Sequence, residues 1–311
     1  MYDTTKPYKN QILELIKSSW ETPYVSVKNG IVEKKFSFNE FHHTDGIGTK
    51  GIYHWKQKSF RNAVLDALAM NLNDLPLMRA RPYALIDHLF LPNDDKKNIV
   101  EIINCLADEC RKRDIAITGG ETAIHDNMNE IEMSITMLGF IENEKQNKFQ
   151  IGDDLIGIAS SGLHSNGFTR VREVFKGEYR PEFIIPTKIY SDAILEINKK
   201  FDIHGLMHIT GGAYTRLRDL LSDSDAIIEN YLLKPHDIFY DIYSKNVSDE
   251  EMYKTFNCGV GFILSADKKD SAEIILDLKN NDLESGVIGE VVKGSGKIKI
   301  QSAFGSRELI L

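Results

Sequence analysis

Cysteine is scarce in this chain of 311 residues: Cys105, Cys110 and Cys258 are all there is, odd in number and without a CxxC pair. That excludes a disulfide framework and a cysteine-built structural zinc site, and it fits a reducing cytosol. No apolar run approaches the length a bilayer span requires. The opening Met1-Tyr2-Asp3-Thr4-Thr5-Lys6-Pro7 also lacks the apolar stretch of a secretory signal. A cytoplasmic protein is expected. Positive charge is in deficit as well, with 46 Asp and Glu against 38 Lys and Arg and a formal charge of −8. Broad binding of nucleic acid or anionic membrane needs a basic surface, so neither is expected as a partner. Any polyanion must be held locally, by a loop, a metal or a few placed cations. There is no G-x-S-x-G elbow, which removes a Ser-His-Asp esterase.

Glycine is missing from residues 52 to 118 and is gathered elsewhere into tight groups. These are Gly46, Gly48 and Gly51; Gly119 and Gly120; Gly162 and Gly167; Gly211 and Gly212; Gly259 and Gly261. Each group alone could be a plain turn. Together, set beside Asp, Thr, Ser, His or Asn, they read as loops converging on a ligand, because glycine admits close backbone approach and positive φ.

The length suggests about two domains, and a polar stretch over residues 142–153 marks the expected boundary, giving domains 1–148 and 149–311. Periodicity predicts helices over 9–19, 61–74 and 95–113, a hairpin turning at Asn29-Gly30, and strands over 83–90, 115–118 and 131–140. Cys110 lies on the apolar stripe of the third helix and is expected in the core. The second half predicts strands over 154–159, 203–209, 225–229, 258–264, 286–292 and 297–301. Helices are expected over 166–175, 187–200, 214–221, 236–245 and 270–279. The fold class is α+β: two α/β domains with mixed sheets flanked by helices.

Thr44-Asp45-Gly46-Ile47-Gly48-Thr49-Lys50-Gly51 matches G-x-G-x-x-G literally, but its setting is wrong for a dinucleotide fingerprint. The preceding residues 36–43 alternate instead of forming a buried apolar run, and 52–56 make a poor helix start. An acid, exposed backbone N–H groups and a lysine suit a Mg²⁺-bridged polyphosphate, with Asp45 on the metal and Lys50 on phosphate oxygens. A surface turn with a salt-bridged Asp is the equal alternative. Asp66 and Asn73, seven residues apart on a helix, share a face, and Asp74 follows at its end; Asp74 or Asp66 could join Asp45 as a magnesium ligand.

Gly119-Gly120-Glu121-Thr122 follows a strand as a site-like turn, where Glu121 could bind a substrate amide, act as a base or cap the next segment. Ser160-Ser161-Gly162-Leu163-His164-Ser165-Asn166-Gly167 sits at a strand-to-helix junction, where free N–H groups favour an anion. His208-Ile209-Thr210-Gly211-Gly212 ends another strand in the same manner. His42 and His43 point to opposite faces of an extended segment, which argues against joint metal ligation.

Taken in order, these segments, with Asn73-Asp74-Leu75, Pro186-Thr187-Lys188-Ile189-Tyr190 and Met252-Tyr253-Lys254-Thr255-Phe256-Asn257-Cys258-Gly259-Val260-Gly261, resemble the phosphoribosylformylglycinamidine cyclo-ligase (AIR synthetase) family over roughly residues 40 to 300. The resemblance implies two domains of the AIR-synthetase type and a homodimer with ATP near the interface of the N-terminal domains. It also implies ATP-dependent ring closure of a formylglycinamidine ribonucleotide in purine biosynthesis. By that likeness Asp45, Asp66 and Asp74 hold Mg²⁺, while Asp45, Gly46, Gly48, Thr49, Lys50, Asn73, Gly119 and Gly120 hold ATP. Glu121, Thr122, Ser161, His164, Ser165, Asn166, Thr210, Gly211 and Gly212 would meet the ribonucleotide, with Lys50, Glu121, His164 and His208 as catalytic groups. Two segments depart from the family pattern. Residues 1–40 carry one glycine, Gly30, and no Tyr-Lys-x-Ala-Gly-Val-Asp leader motif. Ile124-His125-Asp126-Asn127-Met128-Asn129 stands where the family has Glu-Met-Pro-Gly-Met-Tyr. They leave open a paralogous ATP-dependent kinase or ligase with another acceptor, or a non-catalytic nucleotide-binding dimer.

Overall fold

The structure, a computed structural model, describes residues 7–229, 233–305 and 307–311. Met1–Lys6, whose polarity argued against a signal segment, lie outside them. Contacts divide the chain into two units, one of residues 1–75 and 80–143, the other of residues 76–79 and 144–311. No local signal announces that Pro76–Arg79 belongs with the second unit. It does so because Arg79 donates to Asn198 Oδ1 at 3.0 Å and to the Ile203 carbonyl at 3.0 Å.

The first unit begins with α1 (Lys9–Lys17) and the hairpin β1 (Val25–Lys28) and β2 (Ile31–Lys34). Asn29 and Gly30 both take positive φ, 53° and 76°, as the tight hairpin turn requires. There follow β3 (Asn39–Gly46), α2 (Gly51–Gln57), α3 (Phe60–Leu72), β4 (Ala80–Leu91), α4 (Lys96–Lys112), β5 (Ala116–Ile124) and β6 (Glu132–Ile141). The sheet order is β3-β6-β4-β5, antiparallel except for the β4/β5 pair, which α4 connects by crossover. Asp95 caps α4 by accepting from the Lys97 and Asn98 amides, and Cys110 is fully buried on its inner stripe.

Two expectations are corrected here. Residues 51–57 do form a helix, α2, because Tyr53 and His54 are buried and because Gly51 allows the Ile131 carbonyl within 1.9 Å of where a Cβ would stand. Tertiary contact overrides a weak local propensity. Gly119-Gly120-Glu121-Thr122 is not a turn but the middle of β5. Thr118 is the extra residue of a register shift opposite Leu85/Ile86. Beyond it the strand resumes with Gly120 opposite Asp87, whose carboxyl oxygen would lie 2.3 Å from a Cβ at Gly120. Only glycine lets the buried Asp87 lie flat against this strand.

The second unit contains β7 (Asp154–Ala159), α5 (Phe168–Phe175), α6 (Ser191–Lys200), β8 (Gly205–His208), β9 (Ser224–Ile228), α7 (Asp237–Ser244), α8 (Asp249–Thr255), β10 (Val260–Ala266), α9 (Ser271–Asn280), β11 (Ser285–Lys293), β12 (Ile298–Gln301) and β13 (Glu308–Ile310). Its sheet runs β13-β12-β9-β11-β7-β10-β8, with β12/β9 the parallel pair. Ile156, Ile158, Phe262 and Leu264 from the sheet pack on Tyr190 and Ile194 of the α6 region and Ile274 and Leu278 of α9. The helix expected over 214–221 is a 3₁₀ helix, Ala213–Leu220.

Candidate active site

In the first unit, β3 delivers Asp45 to the C-terminal end of α3. Asp45 Oδ1 accepts from the Gly46 amide at 2.7 Å, and Asn71 Nδ2 donates to the Asp45 carbonyl at 3.1 Å. His43, two residues back on the same face, contacts Asn71 Oδ1 at 3.0 Å and Asp74 Oδ2 at 3.4 Å. Asp45 and Asp74 thus stand on one small network whose centre, His43 and Asn71, sequence reasoning missed. The hydrogen bond that His43 donates to Asp74 raises the His43 pKa above its ordinary value; burial opposes this, and the Asp74 and Asp45 charges add to it. An Asp74→Asn change is expected to return the His43 ring titration toward about 6.5, read by NMR. Because the folded pKa is the raised one, the stability His43 contributes is complete below its unfolded pKa and is lost as pH rises through the folded value.

Two expected ligands are placed otherwise. The Lys50 ammonium is fully buried and pairs with Asp66 Oδ2 at 2.8 Å; His54 Nε2 meets the same oxygen at 2.7 Å, and His54 Nδ1 meets Ser59 Oγ at 2.8 Å. Burial works against an ionised Asp66, but the Lys50 charge and the hydrogen bond to His54 outweigh it and hold the carboxyl well below its usual range. Lys50 therefore does not reach out to phosphate and Asp66 is not a metal ligand in this arrangement. Together they pin the loop 47–51 from beneath. Asn73 is also fully buried. Gly48 is exposed with φ 55° and Thr49 is half-buried above it.

Strand alternation separates the remaining residues of this unit. Glu121 pairs with His88 in register and lies with Ile86 and Phe90 on the open face of the sheet, opposite to His43 and Asp45. Thr122 is buried, while Gly119 faces Ile86 and Gly120 faces Asp87, whose pKa burial pushes up to about 7. Glu132 Oε1 lies 2.9 Å from where a Gly46 Cβ would stand, and burial raises its pKa. No local pattern could have shown Glu132, because only the β3/β6 pairing brings it there. Among the described residues no three His, Cys, Asp or Glu side chains converge as a metal cage. Magnesium on a nucleotide needs no such cage, since one or two carboxylates with phosphates and waters suffice.

In the second unit the segments 160–167, 210–212 and 257–261 gather at one end of β7, β8 and β10. Asn257 Nδ2 donates to the Gly162 carbonyl at 2.8 Å while its Oδ1 accepts from the Gly259 amide at 2.9 Å. Ser161 Oγ donates to the Pro186 carbonyl at 2.7 Å, and Ser165 and Thr187 hydroxyls lie 2.9 Å apart. Asn166 Oδ1 is 3.5 Å from the Cβ position of Gly211. The imidazoles expected to be catalytic lie beneath this rim. His164 is 1% exposed and its Nε2 accepts from the Ser161 amide at 3.2 Å; His208 is fully buried against Phe262. Gly261 makes room for His164 and Tyr190, since a Cβ there would stand 2.0 Å from Tyr190 Oη and 2.6 Å from His164 Cε1. Both rings thus lie in the interior, and His164 braces the loop through the Ser161 amide.

Residues 38–141 match the AIR synthase related protein N-terminal domain and residues 150–301 its C-terminal domain. The phosphoribosylformylglycinamidine cyclo-ligase of Saccharolobus solfataricus is 33% identical over 302 residues, 93% of this chain and 90% of that one. The chain belongs to the cyclo-ligase, or AIR synthetase, family. The Thermococcus kodakarensis cyclo-ligase is 36% identical to this AIR synthetase family member, covering 83% of this chain and 80% of its own. Among solved structures, hydrogenase maturation protein HypE in complex with ATP has a TM-score of 0.73 at 14% identity, covering 99% and 95% of the two chains. Thiamine-monophosphate kinase from Stenotrophomonas maltophilia has a TM-score of 0.66 at 17% identity, covering 96% and 97%. At those identities the likeness is one of fold. No helix among the described residues is long and apolar enough to cross a membrane.

Proposed function

We infer that the chain is an ATP-dependent cyclo-ligase that converts formylglycinamidine ribonucleotide to aminoimidazole ribonucleotide, ADP and phosphate in purine biosynthesis. The observation that carries this reading is identity of 33–36% with cyclo-ligases along most of both chains. The γ-phosphoryl of ATP passes to the formamide oxygen, and ADP departs with the electrons of the broken P–O bond. The amidine nitrogen lone pair then attacks the activated carbon, the C–O bond breaks, phosphate leaves, and loss of a proton from nitrogen completes the imidazole. The protein's share is positioning and charge. Asp45 and Asp74 would hold Mg²⁺, which would neutralise the phosphoryl in transfer, and Gly46, Gly48, Thr49, Gly119 and Gly120 would line the ATP site. Lys50 and Asp66 keep the phosphate loop in place.

Within the second unit Ser161, Ser165, Asn166, Thr210, Gly211 and Gly212 are assigned to the ribonucleotide. The enzyme works in the cytoplasm as a homodimer that covers the open face bearing Ile86, which is 46% exposed. The test is formation of aminoimidazole ribonucleotide from the purified chain with saturating MgATP and formylglycinamidine ribonucleotide. ADP release with no imidazole product, while a control cyclo-ligase makes it, would overturn the reading. ADP release that depends on another metabolite would mark a paralogous kinase or ligase, the alternative raised by Ile124–Asn129.

A further inference from the structure

Arginines of this protein that leave the surface mostly do so in company. Arg113 meets Glu109 at 2.8 Å and Arg180 meets Asp241 at 2.6 Å. Arg172 and Arg218 have no ion pair among the described residues, but both are exposed and need none. Arg216 differs. It is half-buried on the 3₁₀ helix after Gly212, and among the described residues it has no carboxylate partner. Its stem lies over Gly212, with Cγ 3.4 Å from that residue's Cβ position, and its Nη1 reaches the Thr210 hydroxyl at 3.4 Å. Thr210 is 4% exposed, so this hydroxyl is a fixed part of the unit. Beside it, next to Gly211, the Asn166 Nδ2 is buried with no hydrogen-bond partner.

A half-desolvated guanidinium without a counter-charge and a buried amide donor without an acceptor both carry a free-energy cost. One ligand relieves both: an oxyanion able to accept several donors. A guanidinium fork matches phosphate in particular, since it donates two parallel bonds. Gly211 and Gly212 are exposed and without side chains, which leaves the approach open.

We propose that Arg216, with the Thr210 hydroxyl and the Asn166 carboxamide, seats the phosphate monoester of the substrate in the second unit. The assignment rests on the cyclo-ligase reading and deepens it: the phosphate of the ribonucleotide, and not that of ATP, is held here. Arg216 then sets specificity for a nucleotide over its nucleoside and takes no part in the bond changes.

The test compares wild type with Arg216→Ala on formylglycinamidine ribonucleotide and on the dephosphorylated nucleoside. Loss of charge-assisted bonds to a phosphate is expected to lower kcat/KM for the nucleotide roughly 10- to 100-fold, mainly through KM. The nucleoside rate and the KM for ATP stay unchanged, and Arg216→Lys, which keeps the charge but not the fork, recovers part of the loss. An equal loss on the nucleoside, or a shift in the KM for ATP instead, overturns the assignment. Calorimetric titration with ribose 5-phosphate, and with ribose and inorganic phosphate as controls, tests the seat separately from turnover. Wild type should bind ribose 5-phosphate more tightly than Arg216→Ala by a similar factor, and equal affinities would refute the seat even in an active enzyme. Should wild type fail to close the ring yet show that difference, the cyclo-ligase reading falls and the phosphate seat stands. Thermal melting of both variants guards against a folding defect, and Arg216→Gln replaces the alanine variant if that one melts early.

Discussion

Asp66→Ala is expected to destabilise the protein by about 3–5 kcal/mol, the cost of leaving a partner charge buried without its mate. Lys50 and Asp66 are each 0% exposed, so neither solvent nor salt can take over the missing role. His54 would lose its acceptor at the same time. Urea unfolding checks the size of the effect. A Lys50→Met, Asp66→Leu double variant should regain much of the loss, because replacing both charges removes the desolvation cost along with the attraction. An Asp66→Ala chain that unfolds within 1 kcal/mol of wild type would mean the pair is not the buried fixture described above. The pH sign follows from the lowered folded pKa of Asp66. Its contribution is complete above the ordinary carboxylate value of about 3.9 and is lost only as pH falls through the folded value. Neutral and mildly acidic conditions should leave it untouched.

The second large effect is on turnover. Asp45→Asn is expected to lower kcat for ADP formation on the order of 100- to 1,000-fold, the size seen when a group that stabilises developing charge is removed. The fold should survive, because Asn keeps the acceptor that takes the Gly46 amide and the Asn71 bond goes to the Asp45 carbonyl, not to its side chain. Circular dichroism and melting serve as controls. Turnover within a few-fold of wild type would move the metal reading away from Asp45, with Asp74 and Glu132 the next to examine.

These two predictions concern residues 21 positions apart in sequence, both of which the sequence alone offers as metal ligands. Glycine grouping, and the acid, amide or hydroxyl that stands beside it at Asp45, Asn166 and Thr210, is legible because it is local. The same legibility misled at Asp66. Helical spacing shows that Asp66 and Asn73 share a face, but not whether that face meets water or the buried ammonium of Lys50. The burial of His164 and His208 is hidden from the sequence for a related reason. Their glycine-rich settings are real, but Gly261 exists to admit the His164 and Tyr190 rings into the interior.

The sequence by itself determined what depends on spacing and composition. That covers two α/β units, most helices and strands, the acidic balance, the core position of Cys110 and family membership. Only the tertiary structure decided what depends on contacts across strands. It put Gly119 and Gly120 inside β5, with Gly120 against Asp87, brought Glu132 over Gly46 and set His43 between Asn71 and Asp74. It also buried two histidines and a lysine that carry reactive groups. Burial and partnership are pairwise properties of residues far apart in the chain, so no window along the sequence contains them. They are also what separates a side chain that holds a ligand from one that holds the loop which does.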